Sequence, residues 1–229
     1  MEIWDLYDQD RHLTGKTMIR GDRVPDGMYH LIVDALFLNG CGETLLQRRA
    51  KDKSILPDIW SVAGGSALRG EDSAEACRRE VEEEMGFTPD FSHGRVLMTE
   101  MVDRPGKNFI RDVWLFFQDV PLSDMTYQPE EVQDGMWIYP ESIEEDPKLW
   151  REMNELFFWP KAYPSLLLES MRMRIPLGEH VLEDGKTYRV IRLALDQKTM
   201  RPAVICENLL DPKDQREIPA KRFLSPAQK

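Results

Sequence analysis

The run Arg79-Glu80-Val81-Glu82-Glu83-Glu84 places carboxylates at a spacing suited to holding a divalent cation. A helix advances about 100° per residue, so Glu80, Glu83 and Glu84 share one face at i, i+3 and i+4. Bare carboxylates at that spacing repel by a few tenths of a kcal/mol per pair in water. In a partly buried cleft the cost rises and pKa values are pushed up. A divalent cation removes the conflict. Mg²⁺ takes hard oxygen ligands, usually one or two carboxylates together with water and substrate phosphates. An isolated run of three glutamates is ordinarily a solvated helix face, but here the neighbours change its meaning. Gly64-Gly65 permits close backbone approach, so that a carbonyl or amide can face a ligand. Arg79 can grip a neighbouring carboxylate with two parallel hydrogen bonds.

These groups need a rigid frame. Ser73 to Met85 reads as a helix, capped by Ser73 or Asp72 and stopped by Gly86. Ala74, Cys77, Val81 and Met85 form its core stripe. Before it, Glu2 to Asp8 alternates polar and apolar residues, Thr14-Gly15-Lys16 reads as a turn, and Thr17 to Ile19 as the return strand. His30 to Leu38 is a buried strand. Asn39 to Glu43 is a hairpin turn, Thr44 to Arg49 the partner strand, and Trp60 to Ala63 a short strand that delivers Gly64-Gly65. Arg95 to Val102, Ile110 to Phe117 and Val132 to Ile138 complete the strands. Helical material runs from Pro140 to about Arg174, broken by Pro147, Pro160 and Pro164. The fold class is α/β (α+β) with a mixed sheet. Residues 175–229 form a small β-rich module that needs the main domain, residues 1–174, for stability.

Composition sets further limits. The net charge is −11, with no basic stripe, which argues against a nucleic-acid partner. An acidic chain suits an anionic small-molecule substrate only if metal ions mediate the contact. No apolar run approaches the roughly 18 residues that span a bilayer, so no membrane partner is expected. Cys41, Cys77 and Cys206 are odd in number and far apart, which predicts reduced thiols and a cytoplasmic location.

The pattern Gly65-x5-Glu71-x7-Arg79-Glu80-Val81-x-Glu83-Glu84-x-Gly86-Phe87 matches the Nudix box at every fixed position, and on it the chain is identified as a member of the Nudix hydrolase superfamily. The resemblance implies an α/β/α sandwich around a mixed sheet, formed by residues 1–174. It implies that Glu80, Glu83 and Glu84 bind Mg²⁺ or Mn²⁺, joined by the carbonyl of Gly64. It gives Glu71 a role in supporting the loop and Arg79 one in orienting the metal-binding glutamate. The expected reaction is attack of metal-activated water on a diphosphate linkage, in a nucleoside diphosphate derivative or related organic pyrophosphate. Glu83 and Glu131 are the two candidates for the base. Arg48, Arg49 and Lys53 are candidate contacts to substrate phosphates, though each alone reads more readily as a surface charge. A homodimer is compatible with the family.

Outside the box, Leu45 to Arg49, Lys53 and Trp60 resemble the branch related to isopentenyl diphosphate isomerases. Those isomerases use a cysteine just before the box and histidine metal ligands. Here Ala63-Gly64-Gly65 stands in that region, and every acid of the box is kept. Hydrolysis is therefore favoured over an isomerase-like reaction and over a non-catalytic nucleotide-sensing role. His30, at the start of a core strand, reads as structural, and core packing is the reading for Tyr29, Trp60 and Trp114.

Overall fold

The computed structural model describes residues 2–175, 178–182 and 184–223. Strands β1 (Ile3–Tyr7) and β2 (Leu13–Ile19) form the expected hairpin, but the turn lies earlier than Thr14-Gly15-Lys16. The Asp8 carboxylate accepts from the amides of Asp10 and His12, both at 2.9 Å, and closes the turn there. Thr14 to Lys16 therefore belong to the return strand. Arg11, at the turn with φ 64°, sends its guanidinium across to Asp112. Its Nη1 donates to Asp112 Oδ1 at 2.8 Å and its Nη2 to Oδ2, while Thr99 adds a hydroxyl donor at 2.7 Å. Asp112 is 1% exposed. The Arg11 side chain is 39% exposed, so removing it leaves a buried carboxylate that keeps its Thr99 donor but loses two charged ones. Arg11→Ala is thus expected to destabilise the protein by about 1–2 kcal/mol, and an unchanged urea-unfolding midpoint would contradict it.

The central sheet has seven strands. They are β3 (His30–Leu38), β4 (Thr44–Arg49), β5 (Trp60–Ser61), β6 (Ala63–Ser66), β7 (Gly94–Val102), β8 (Phe109–Phe117) and β9 (Val132–Ile138). β3 pairs with β8 in parallel from His30↔Phe109 to Leu38↔Phe117, and β7 pairs antiparallel with β8. Among the described residues β3 and β4 are in register only at Leu38↔Thr44, beside their turn. Beyond that they separate. β6 takes the side of β3, while β5 and β9 pair with β4. The sheet therefore opens into two arms. The expected single strand Trp60 to Ala63 is split at Val62, because the chain crosses here from the β4 arm to the β3 arm and then reaches Gly64-Gly65.

Helix α1 (Ser73–Met85) covers one face. Leu31, Val33, Ala35, Phe37 and Leu45 pack there against Ala76, Cys77, Val81 and Met85. Ala76 takes the core place expected of Ala74, which is only half-buried. The opposite face, with Leu36, Leu38, Leu46, Val113 and Leu115, packs on α2 (Pro140–Glu145), α3 (Pro147–Asn154) and α4 (Trp159–Arg174). The sheet is thus layered between helices. Pro147 opens α3 and Pro160 lies in the first turn of α4, where a missing N–H costs little. Pro164 sits inside α4 without ending it, since Ala162, Tyr163, Leu166 and Leu167 are anchored in the core.

The C-terminal strands β10 (Glu179–Val181), β11 (Thr187–Leu195), β12 (Pro202–Asn208) and β13 (Gln215–Pro219) form a separate antiparallel sheet in that order. Tyr188, Val190, Leu193, Val204 and Cys206 are buried in the same cluster as Leu166, Leu167 and Met171 of α4. No helix of the described residues is long and apolar enough to cross a membrane.

Candidate active site

Both ends of α1 are fixed. Asp72, rather than Ser73, is the N-cap. Its carboxylate accepts from the amides of Ala74 and Glu75 at 2.8 Å, and the Asp72 amide in turn donates to the Glu75 carboxylate at 2.9 Å. Ser73 Oγ instead accepts from Trp114 Nε1 at 3.0 Å. Gly86 ends the helix at φ 76°, where a Cβ would lie 2.6 Å from the Thr126 carbonyl.

Within this frame Arg79 ties the acids together. Its Nε and Nη2 donate to the two oxygens of Glu71 at 2.7 and 3.1 Å. Its Nη1 donates to Glu80 Oε1 at 2.8 Å and Glu83 Oε2 at 3.1 Å, and Nη2 also reaches the Ser66 carbonyl at 3.0 Å. Glu71 in turn accepts from the Leu68 amide at 2.8 Å, which closes the loop before the helix. Glu84, 4% exposed, is held by other groups. Its Oε2 accepts from Gln47 Nε2 at 2.8 Å and from the Gly64 amide at 3.0 Å.

A common pattern results. Among the described residues, Glu80, Glu83 and Glu84 each have one carboxylate oxygen hydrogen-bonded to protein and the other not. Burial, followed by the charge of Glu80, pushes the Glu84 carboxyl up to about 8, against hydrogen bonds that lower it. Burial also raises Glu80, although Arg79 opposes this. At Glu71 burial is outweighed by Arg79 and the Leu68 amide, so its carboxyl lies below the usual range. Crowded, partly desolvated carboxylates with free hard oxygens are a donor set that suits a divalent cation.

A raised carboxyl pKa means that the folded chain binds more protons than the unfolded one between the ordinary value of 4.5 and about 8. In EDTA, Glu84 should therefore lower stability as pH rises through that window. Thermal melts should show this slope in the wild type and a flatter one in Glu84→Gln. Equal slopes would remove Glu84 as its source.

The glycines allow this close approach. A Cβ on Gly64 would lie 2.3 Å from the Val33 carbonyl, and one on Gly65 would lie 2.4 Å from Glu80 Oε1. The first obstacle is backbone, whereas the second is the end of a flexible side chain. Gly65→Ala should consequently fold while displacing Glu80. A misplacement of about 1 Å costs up to roughly 10²-fold in rate, and about a 10-fold fall in kcat is expected here. Unchanged kcat in a folded variant would show that Glu80 tolerates the shift.

The candidate phosphate-binding residues separate. Alternation along β4 turns Leu45, Gln47 and Arg49 toward α1, and Leu46 and Arg48 toward the other face. Burial raises the carboxyls of both Asp34 and Glu84, and the charge of Arg49 is close enough to oppose that rise in part. Its Nε and Nη2 donate to the carbonyls of Leu56 and Ile55 at 3.1 and 3.2 Å. Arg48 instead pairs with Asp58 at 2.9 Å and stands over the Trp60 ring. Lys53 forms an ion pair with Glu131. His30 is stacked on Trp4 at 4.4 Å and edge-on to Phe109, and burial lowers it to about 4. It packs as a neutral ring. Gln47 was not among the residues singled out from sequence. The available signal was a polar side chain in line with Leu45 on a buried strand.

A family model described as the NUDIX domain matches residues 28–159. A Nudix hydrolase of Listeria monocytogenes is 41% identical over 145 residues, covering 63% of this chain and 83% of that protein. The nucleoside triphosphatase NudI of Escherichia coli is 31% identical over 109 residues, covering 44% of this chain and 77% of that protein. A solved structure from Deinococcus radiodurans superposes with a TM-score of 0.50 at 25% identity, covering 61% of this chain and 85% of that one. The matched span contains the divided sheet, α1 and every acid gathered by Arg79, and on these grounds the chain belongs to the Nudix hydrolase family.

Proposed function

We propose that this protein hydrolyses a diphosphate linkage in a nucleotide derivative or related organic pyrophosphate, with Mg²⁺ or Mn²⁺ as its cation. The observation that carries this reading is the set of free oxygens on Glu80, Glu83 and Glu84, one from each carboxylate. Those oxygens, with the Gly64 carbonyl, would hold the cation. When bound, a divalent cation neutralises phosphate charge and lowers the pKa of water. Arg79 orients Glu80 and Glu83, and Glu71 holds Arg79 in place. Glu83 is the proton acceptor in this reading: its side chain is 53% exposed, whereas Glu131 is engaged by Lys53. Arg49, on the α1 face, is the cation best placed to meet substrate phosphates, and Lys53 could join it by releasing Glu131. Arg48, paired on the other face, takes no part.

The likeness to a nucleoside triphosphatase supports a nucleotide substrate. A cytoplasmic enzyme, with a homodimer as its assembly, fits this reading, and the three cysteines are unpaired. The test is a product-resolved screen of nucleoside di- and triphosphates, sugar nucleotides and isopentenyl diphosphate, with Mg²⁺, Mn²⁺ or EDTA. Cation-dependent appearance of cleaved phosphates is expected. Turnover undiminished in EDTA, or no turnover of any compound with either cation, would overturn the proposal.

A further inference from the structure

We infer that Gln47 is a positioning residue for the metal site, setting which oxygen of Glu84 is presented to the cation. This rests on the metal-dependent reading above. Gln47 lies on β4, 1% exposed, and reaches Glu84 across the gap between strand and helix. Its Nε2 donates to Glu84 Oε2 at 2.8 Å and to the Val62 carbonyl at 3.1 Å. Its own carbonyl oxygen is buried without a hydrogen-bond partner. The carboxamide nonetheless has only one workable orientation. Turned over, its oxygen would face two acceptors, the Val62 carbonyl and the carboxylate.

The second donor to Glu84 Oε2 is the Gly64 amide, which arrives from the crossing between the two arms of the sheet. Strands β4 and β6 thus clamp one oxygen from two directions, and Oε1 remains available. Arg79 performs the corresponding task for Glu80 and Glu83 with a positive charge. At Glu84 the donors are neutral. They orient the carboxylate without adding a cation that would compete with the metal.

The test is Mn²⁺ binding measured by calorimetry in the absence of substrate, for the wild type and for Gln47→Met, which keeps the length and removes the donor. Loss of a group that orients a ligand typically weakens metal binding about 10–100-fold, and that range is expected. At saturating Mn²⁺, kcat should fall while KM stays within about threefold, since Gln47 is buried and offers no surface to a substrate. Mn²⁺ affinity in Gln47→Met within about twofold of the wild type would overturn the inference. If that variant fails to fold, Gln47→Glu, which keeps the shape and sets a carboxylate against Glu84, is judged by the same criteria.

The unmodified protein supplies a further readout. Mg²⁺ should shift the Gln47 side-chain amide NMR signal, and a signal indifferent to Mg²⁺ would count against the assignment. Absence of Mn²⁺ binding in the wild type would instead remove the metal-dependent reading itself, and the role of Gln47 with it.

Discussion

Glu83→Gln is expected to lower kcat by about 10²-fold or more, the scale of losing a metal ligand or general base. The substitution keeps the side chain's shape and its capacity to accept a hydrogen bond from Arg79 Nη1. It removes the negative charge and the ability to take a proton. Glu83 is largely exposed, in contrast to Glu84, so little core packing is at stake. The loss should accordingly appear in kcat with nearly unchanged thermal stability. Steady-state kinetics and a melting curve on the same preparation decide the matter. Turnover near the wild-type value would remove Glu83 from the mechanism and move attention to Glu131. In that case Lys53→Met, which frees Glu131 from its ion pair, should change kcat.

Arg79→Lys is expected to lower kcat by a similar amount, about 10²-fold, although the formal charge is unchanged. Arg79 uses its planar fork to reach Glu71, Glu80, Glu83 and the Ser66 carbonyl at once. A lysine offers a single ammonium and cannot span those acceptors. Glu71 would lose its two-point grip, and Glu80 and Glu83 would no longer share one anchor. Cation affinity should weaken together with kcat, because ligand orientation is lost while ligand identity is kept. Activity within about threefold of the wild type would mean that positive charge alone suffices, contrary to the geometric role given to the fork.

Much of the site was legible in the sequence because its determinants are local. Helical spacing alone aligns Glu80, Glu83 and Glu84, and the Asp72–Glu75 capping box and Gly86 are contained within one short segment. Arg79 is one residue from Glu80 and four from Glu83, so its reach follows from helix geometry. Elsewhere local signals competed. Thr14-Gly15-Lys16 reads as a turn, yet the Asp8 carboxylate closes the hairpin earlier through two backbone amides. Pro164 reads as a break, yet packing around it carries α4 through.

The sequence by itself determined the family, the helix α1 and the alignment of Glu80, Glu83 and Glu84 that makes them candidates, since all of these depend on neighbours within a few turns of one helix. Only the tertiary structure decided what surrounds those acids. The separation of β3 from β4 is a matter of long-range strand pairing, and it places Gln47 and the Gly64 amide against Glu84. The alternation of β4 has meaning only once both faces of the sheet are covered, which sorts Arg49 toward the acids and Arg48 away from them. The Lys53–Glu131 pair joins residues 78 positions apart, and no local pattern encodes it. Local periodicity can bring charges onto one face, but whether they are buried, paired or left free depends on parts of the chain that meet only on folding.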